Sequence, residues 1–329
     1  MQNRSYQTHA VVEAGLIIAI IVVLMLFSVY VPIFSMVGIF ILPIPVTILY
    51  IRQNWKITLT AVFVSGIIIA MTYDPISALT ASLMFGSTGV TLGYCISHKR
   101  KFSFTITLLA IVSAIITVLN LVVYVNLINK TGLMGFINEN LKIINGSMDT
   151  VNSMYLKMGV NQAQLAQLKQ TFAIFTPDFI LKIIPAMLIV ASFISAYINY
   201  IITKSILKKL RYEMKEEISF TKMYINNRIG TFLVVFVIIG LLLNRYKMSL
   251  GGYILNSSTI VLQMALLIDG VSLAAFYLRN RFRLPKAFTV ILILILVFSQ
   301  ASNLLVIAGL IDMVMDFRKL DPYRIGKIA

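Results

Sequence analysis

Asp269 is the residue in this chain best placed to do chemistry. It lies inside an apolar run, about 253–278, and Gly270 follows it. An ionised carboxylate at such a depth costs roughly 2.5–3.5 kcal/mol on insertion scales. Ser258, Ala265, Asp269 and Ser272 step by seven, four and three, so they share one helix face. A carboxylate on a small-residue face suits a proton, an ion or a ligand contact. It suits an internal ion pair between helices equally well. Amides and hydroxyls form a second set. Asn120 sits deep in a run at about 104–128, and Ser192, Ser195 and Asn199 line one face of a run beginning near Asp178. Gln263, Gln300 and Asn303 add to it near the C-terminal end. Interhelical hydrogen bonds, on the order of 0.6–2 kcal/mol each, account for most such residues. The candidates for a ligand or ion pathway are therefore Asn120, Ser195, Asn199, Gln263, Asp269 and Asn303.

Catalysis needs converging titratable groups, and the chain offers few. Its two histidines, His9 and His98, fall at the ends of apolar runs. It carries no HExxH, phosphate-binding loop, dinucleotide fingerprint or nucleophile elbow. One cysteine, Cys95, excludes an internal disulfide and a cysteine metal cluster. The expectation is a protein that is not an enzyme, with no cofactor and no metal.

The surrounding elements are membrane helices. The 329 residues are 59% hydrophobic and 12% charged, against about 25% charged in soluble domains. A spanning helix needs about 20 mostly apolar residues, and about nine such runs are present, or eight if the last is a hairpin. Continuous runs such as Val290–Phe298 argue against a β-barrel, whose strands alternate. The fold class is an all-α polytopic transmembrane bundle. A net charge of +16 sits mostly in short loops beside these runs, which suits membrane insertion and anionic headgroups rather than nucleic acid. The first run, about Val12–Val31, is read as a retained helix, not a cleaved signal.

Pro43 and Pro45 should break the second run, about 33–51. Gly86, Gly89 and Gly93, with Ser82, form a small-residue stripe in the fourth, and Gly15 and Ala19 make a small-xxx-small pair in the first. Both suit close helix contact, and Gly15 and Ala19 suit a partner protein as well. Lys130 to Pro177 reads as an outer segment of two or three short amphipathic helices. The most charged window, Lys204 to Arg228, divides the chain. Counting Lys and Arg places it, and the N-terminus, in the cytoplasm. Nine spans would leave Arg318, Lys319, Arg324 and Lys327 outside; a hairpin at Ser299–Asn303 would return them. Halves that short cannot each cross, so a single last helix is expected.

The chain's end reads Gly309-Leu310-Ile311-Asp312-Met313-Val314-Met315-Asp316-Phe317-Arg318-Lys319-Leu320. A Gly-Leu-x-Asp stretch running into Asp-Phe-Arg-Lys, at this length and span count, resembles the YybS-like family of bacterial multi-pass membrane proteins. That family is distantly similar to the S-components of energy-coupling-factor transporters. The resemblance implies a six-helix substrate-binding bundle over residues 1–207, a location in the bacterial cell membrane, and contact of Gly15 and Ala19 with a membrane partner subunit. Residues 208–228 would form a basic cytoplasmic loop, and 229–329 a C-terminal helical extension without a counterpart in S-components. Asp312 and Asp316 share a helix face, and with Arg318 they read as an anchor at the membrane interface. The function expected is binding or import of a small molecule, from a pocket opening outward beneath the segment 130–177. The alternative is a non-transporting scaffold that recruits partners through its basic loop.

Overall fold

The computed structural model describes residues 2–159, 161, 165, 170, 173–212 and 219–320. Among these residues every regular element is helical. Seven helices are long and apolar enough to cross a membrane, or eight if one sharply bent pair counts as a span. Much of their apolar surface faces outward, Phe63 (69% exposed) and Phe298 (85%) among it. Water would penalise that surface, whereas lipid tails accept it.

The chain forms two compact units. The first comprises residues 1–136 and 191–216, the second 137–190 and 217–329. The boundaries read from sequence at 207 and 229 flank only the last of the three joins, at 216/217; residues 137–190 belong to the same unit as the C-terminal helices.

The first unit holds α1 (Gln2–Tyr30), α2 (Pro32–Ile41), α3 (Pro43–Arg52), α4 (Trp55–Thr72), α5 (Pro75–Ser97) and α6 (Phe102–Val123), with the later part of α8 (Pro177–Lys209). Leu42 separates α2 from α3, where Pro43 starts a new helix. A π-helical turn, Tyr124–Ile128, extends α6. α5 packs against α3 and α4 through the expected stripe. A Cβ on Gly86 would lie 2.6 Å from Val62, and one on Gly89 would lie 2.7 Å from the Pro43 carbonyl oxygen. Gly93 meets the Tyr50 side chain in the same way. Thr47 ties the contact by donating to the Gly89 carbonyl at 3.1 Å. At one end, Glu13 of α1 accepts from Arg52 at 2.9 Å and from Gln53 at 2.5 Å.

Two expectations change here. The outer segment, read as two or three short helices, contains one long helix, α7 (Gly132–Lys157); most of its later part, 162–172, lies outside the described residues. Lys204, taken as the first charge of the loop, is buried (2% exposed), with its ammonium 5.8 Å over the Tyr200 ring.

The second unit is built on α9 (Asn227–Arg245), α10 (Ser249–Asn280), α11 (Lys286–Phe298) and α12 (Ser302–Met315). The single last helix expected from sequence is corrected: α11 and α12 meet at 106°. Ser299 is extended, and Ala301 donates its amide to the Ser299 hydroxyl at 3.2 Å, so the turn supplies its own hydrogen bonds. α12 then lies along α10, where a Cβ on Gly270 would strike the Leu305 carbonyl and one on Gly309 the Leu266 carbonyl.

Candidate functional site

Each unit carries one arrangement that invites function. In the first, a cavity of about 250 Å³ is walled by α2, α5, α6 and the later part of α8. Ile39, Phe40, Met84 and Ile116 supply apolar walls; Thr88, Ser113, Thr117, Ser192, Ser195 and Asn199 supply polar ones. Asn199 is 2% exposed. Its Nδ2 donates to the Ser195 carbonyl at 3.0 Å and reaches the Ser195 hydroxyl at 3.3 Å. That grip fixes the amide, and the Asn199 Oδ1 acceptor is left with no hydrogen-bond partner. A buried amide oxygen without a donor costs about 1–3 kcal/mol. The small volume, against roughly 300–1,000 Å³ for typical ligand pockets, limits an occupant to a compact molecule.

In the second unit, Arg318 is enclosed completely, its side chain 0% exposed. Its Nη2 donates to Asp269 Oδ1 at 2.6 Å and to Asp312 Oδ2 at 2.7 Å, and its Nε reaches the same Asp312 oxygen at 2.9 Å. Its Nη1 donates to the carbonyls of Thr221 (3.1 Å) and Met223 (2.9 Å) and to the Ser272 hydroxyl (2.6 Å). Ser272 in turn donates to the Phe220 and Met223 carbonyls, each at 2.7 Å.

Local structure explains how an arginine just past a helix end reaches inward. Asp316 ends α12 in the left-handed region, at φ 49°, which reverses the chain. Asp312 Oδ1 accepts the Phe317 amide at 3.1 Å, and Asp316 accepts the Leu320 amide at 2.8 Å. Thus Asp312 both caps the turn and receives the arginine it delivers. Asp312 and Arg318, expected with Asp316 as an anchor at the membrane interface, are buried within the protein and paired with each other. Asp316 is half-buried at the edge of the cluster.

The family model described as "Predicted membrane protein (DUF2232)" matches residues 19–313. The chain belongs to that family. The DUF2232 match covers both the cavity and the two aspartates, while Arg318 lies just beyond it. One similar protein, "Uncharacterized protein YybS" of Bacillus subtilis (strain 168), is 23% identical over 322 residues, covering 93% of this chain and 96% of its own length. No solved structure matches.

The remaining candidates are placed as follows in this DUF2232 chain. Asn120 is half-buried on α6 outside the cavity lining, and its Oδ1 has no partner. Gln263 on α10 and Asn303 on α12 are exposed and join neither site. Gly15 and Ala19 are exposed, and a Cβ on Gly15 would meet nothing within 4 Å. Gly86, Gly89 and Gly93 spend their smallness on packing inside the first unit. Sequence reasoning missed the link between Asp269 and Arg318, although a carboxylate that deep asks for a cation.

Proposed function

We propose that this DUF2232 protein is an integral membrane protein that binds a compact, uncharged molecule within its N-terminal bundle, in the manner of an S-component, and is not an enzyme. The observation that carries this reading is that Asn199, whose buried Oδ1 has no hydrogen-bond partner, lines a cavity otherwise walled by hydroxyls and apolar side chains. Among the described residues no Asp, Glu, Lys or Arg lines that cavity, which suits a neutral occupant that donates a hydrogen bond. The exposed face of Gly15 and Ala19 suits a membrane partner, consistent with uptake that draws its energy from another chain.

Native mass spectrometry of the protein purified in mild detergent tests the binding reading. A small metabolite retained at stoichiometric level by the wild type, and reduced at least tenfold by Asn199→Leu, is the expected result. Leucine keeps the branching of the asparagine side chain, at a larger volume, without hydrogen-bonding groups. Retention of lipid alone, with a protein partner instead, favours the scaffold.

The orientation follows from charge. Arg318 holds the tail against Thr221 and Met223, so the tail and the segment after the basic loop share one side. The bent α11–α12 pair begins beside Arg279, Arg281 and Arg283 and ends beside Arg318 and Lys319. Both ends of the pair then lie on the cytoplasmic side of the membrane. Lys222→Cys and Lys319→Cys, each in a Cys95→Ser background, should resist an impermeant thiol reagent in intact cells and react fully after permeabilisation. Labelling of Lys319→Cys alone in intact cells would reject this topology.

A further inference from the structure

Among the described residues, the enclosed charges of the second unit do not balance. Arg318, Asp269 and Asp312 have side chains 0%, 0% and 2% exposed, and together their formal charge is one negative. Both carboxylates accept from the same Nη2, so their bonded oxygens stand no further apart than those two hydrogen bonds laid end to end. One guanidinium compensates one carboxylate. Two carboxylates sharing a site do not both ionise cheaply, and an uncompensated charge inside a membrane protein is costly.

The imbalance has a location. Asp269 Oδ1 is taken by Arg318, whereas Oδ2 is buried and has no hydrogen-bond partner. The Ile225 backbone acts on this carboxylate, yet it closes no hydrogen bond to Oδ2. Asp269 also lines a cavity of about 10 Å³, together with Tyr224, Ile225, Asp312, Met313 and Asp316. That is room for about one water and none for a hydrated ion. Among the described residues no three acidic, histidine or cysteine side chains are grouped to hold a metal.

We propose that Asp269 and Asp312 form a proton-binding site, with a single exchangeable proton carried on Asp269 Oδ2 and the neighbouring cavity holding the water that exchanges it. The step is a simple protonation: hydronium reaching the cavity breaks one O–H bond and is left as neutral water, an O–H bond forms on the carboxylate, and no oxidation state changes. The groups facing it are Arg318 from the tail, Asp312 from α12, Asp316 from the reversing turn, Ser272 from α10 itself and Tyr224 from the preceding segment. Arg228 opens α9, which meets α12 where Gly230 packs on Met313. With the proton bound, the three enclosed charges sum to zero. Without it, the two aspartates repel across one arginine nitrogen, and the tail's hold on α10 weakens. The site is independent of the cavity in the first unit.

Infrared difference spectroscopy of the full-length protein in lipid nanodiscs, titrated from pH 4 to pH 9, tests this. The carbonyl stretch of a protonated carboxylic acid should persist at a pH where exposed aspartates (pKa about 3.9) have ionised, and should vanish reversibly at higher pH. Asp269→Asn should abolish that band, and Asp316→Asn should leave it. Where Asp269→Asn does not fold, Asp269→Glu makes the assignment, because it keeps the acid and shifts its band. No protonated-acid band above the ordinary range, or a band that both Asp269 variants leave unmoved, overturns the proposal. A spectrum indifferent to pH but altered by sodium overturns it too, and makes the site a cation site.

Discussion

Arg318→Ala is expected to destabilise the protein more than any other side-chain truncation in the C-terminal unit. The change removes the cation from between two enclosed carboxylates and strips donors from the Thr221 and Met223 carbonyls and the Ser272 hydroxyl. Removing one partner of a buried ion pair typically costs about 3–5 kcal/mol, because the remaining charge stays buried and unpaired. The variant should therefore fail to run as a monodisperse peak in detergent, or should melt well below the wild type. Arg318→Lys should fall between, since an ammonium keeps the charge but not the fork that spans both carboxylates. Two comparisons separate this from a general intolerance of the tail. Lys319→Ala, one residue on and exposed, should melt as the wild type does. The combined Asp269→Asn, Asp312→Asn, Arg318→Met variant should recover much of the loss, because no charge is then left uncompensated. An Arg318→Ala protein with wild-type melting would mean that the tail is not docked on α10.

That cluster shows where the sequence was readable and where it was not. The apolar runs, the break at Pro43 and the glycine stripe of α5 follow from local rules, since each is decided by residues a few positions apart. Asp269 was visible as an anomaly because a charge in an apolar run is costly wherever the helix goes. Its partner was not visible, because Arg318 is 49 residues away and arrives through two non-local events, the 106° bend between α11 and α12 and the left-handed turn at Asp316. The bend left a trace: a straight last helix would have put four basic residues on the far side. The shortness of α11 and α12 outweighed that trace in the sequence reading. It should not have done, since a bent pair whose ends share one side need not cross the membrane. Asn199 and Ser195 were found from the face they share on α8. Gln263 and Asn303 were selected by the same rule and are exposed, since polarity in an apolar run does not say which side of the helix is packed.

The same substitution at two glycines should give opposite signs. Replacing glycine by alanine in a helix interior gains roughly 0.5–1 kcal/mol from backbone entropy where nothing opposes it. At Gly15 nothing lies within 4 Å of the new methyl, so Gly15→Ala should leave melting unchanged or raise it slightly. At Gly309 the methyl would strike the Leu266 carbonyl and stand 2.8 Å from the Gly270 amide nitrogen; at Gly270 it would strike the Leu305 carbonyl and stand 3.1 Å from the Gly309 nitrogen. These obstacles are backbone atoms of the opposite helix, so no side-chain rotation relieves them, and α10 and α12 must move apart. Overpacking of this kind costs about 1–3 kcal/mol, occasionally more, which exceeds the propensity gain. The separation would also pull Asp312, one turn beyond Gly309, away from Asp269, so the ion-pair cluster loosens together with the helix contact. Gly309→Ala and Gly270→Ala should therefore each lower the melting temperature in detergent, and in a double-mutant cycle with Arg318→Ala their costs should add to less than their sum. Full additivity would mean that the glycine crossing and the arginine cluster stabilise the unit separately, and that the Gly-Leu-x-Asp spacing does not serve to bring Asp312 to Arg318.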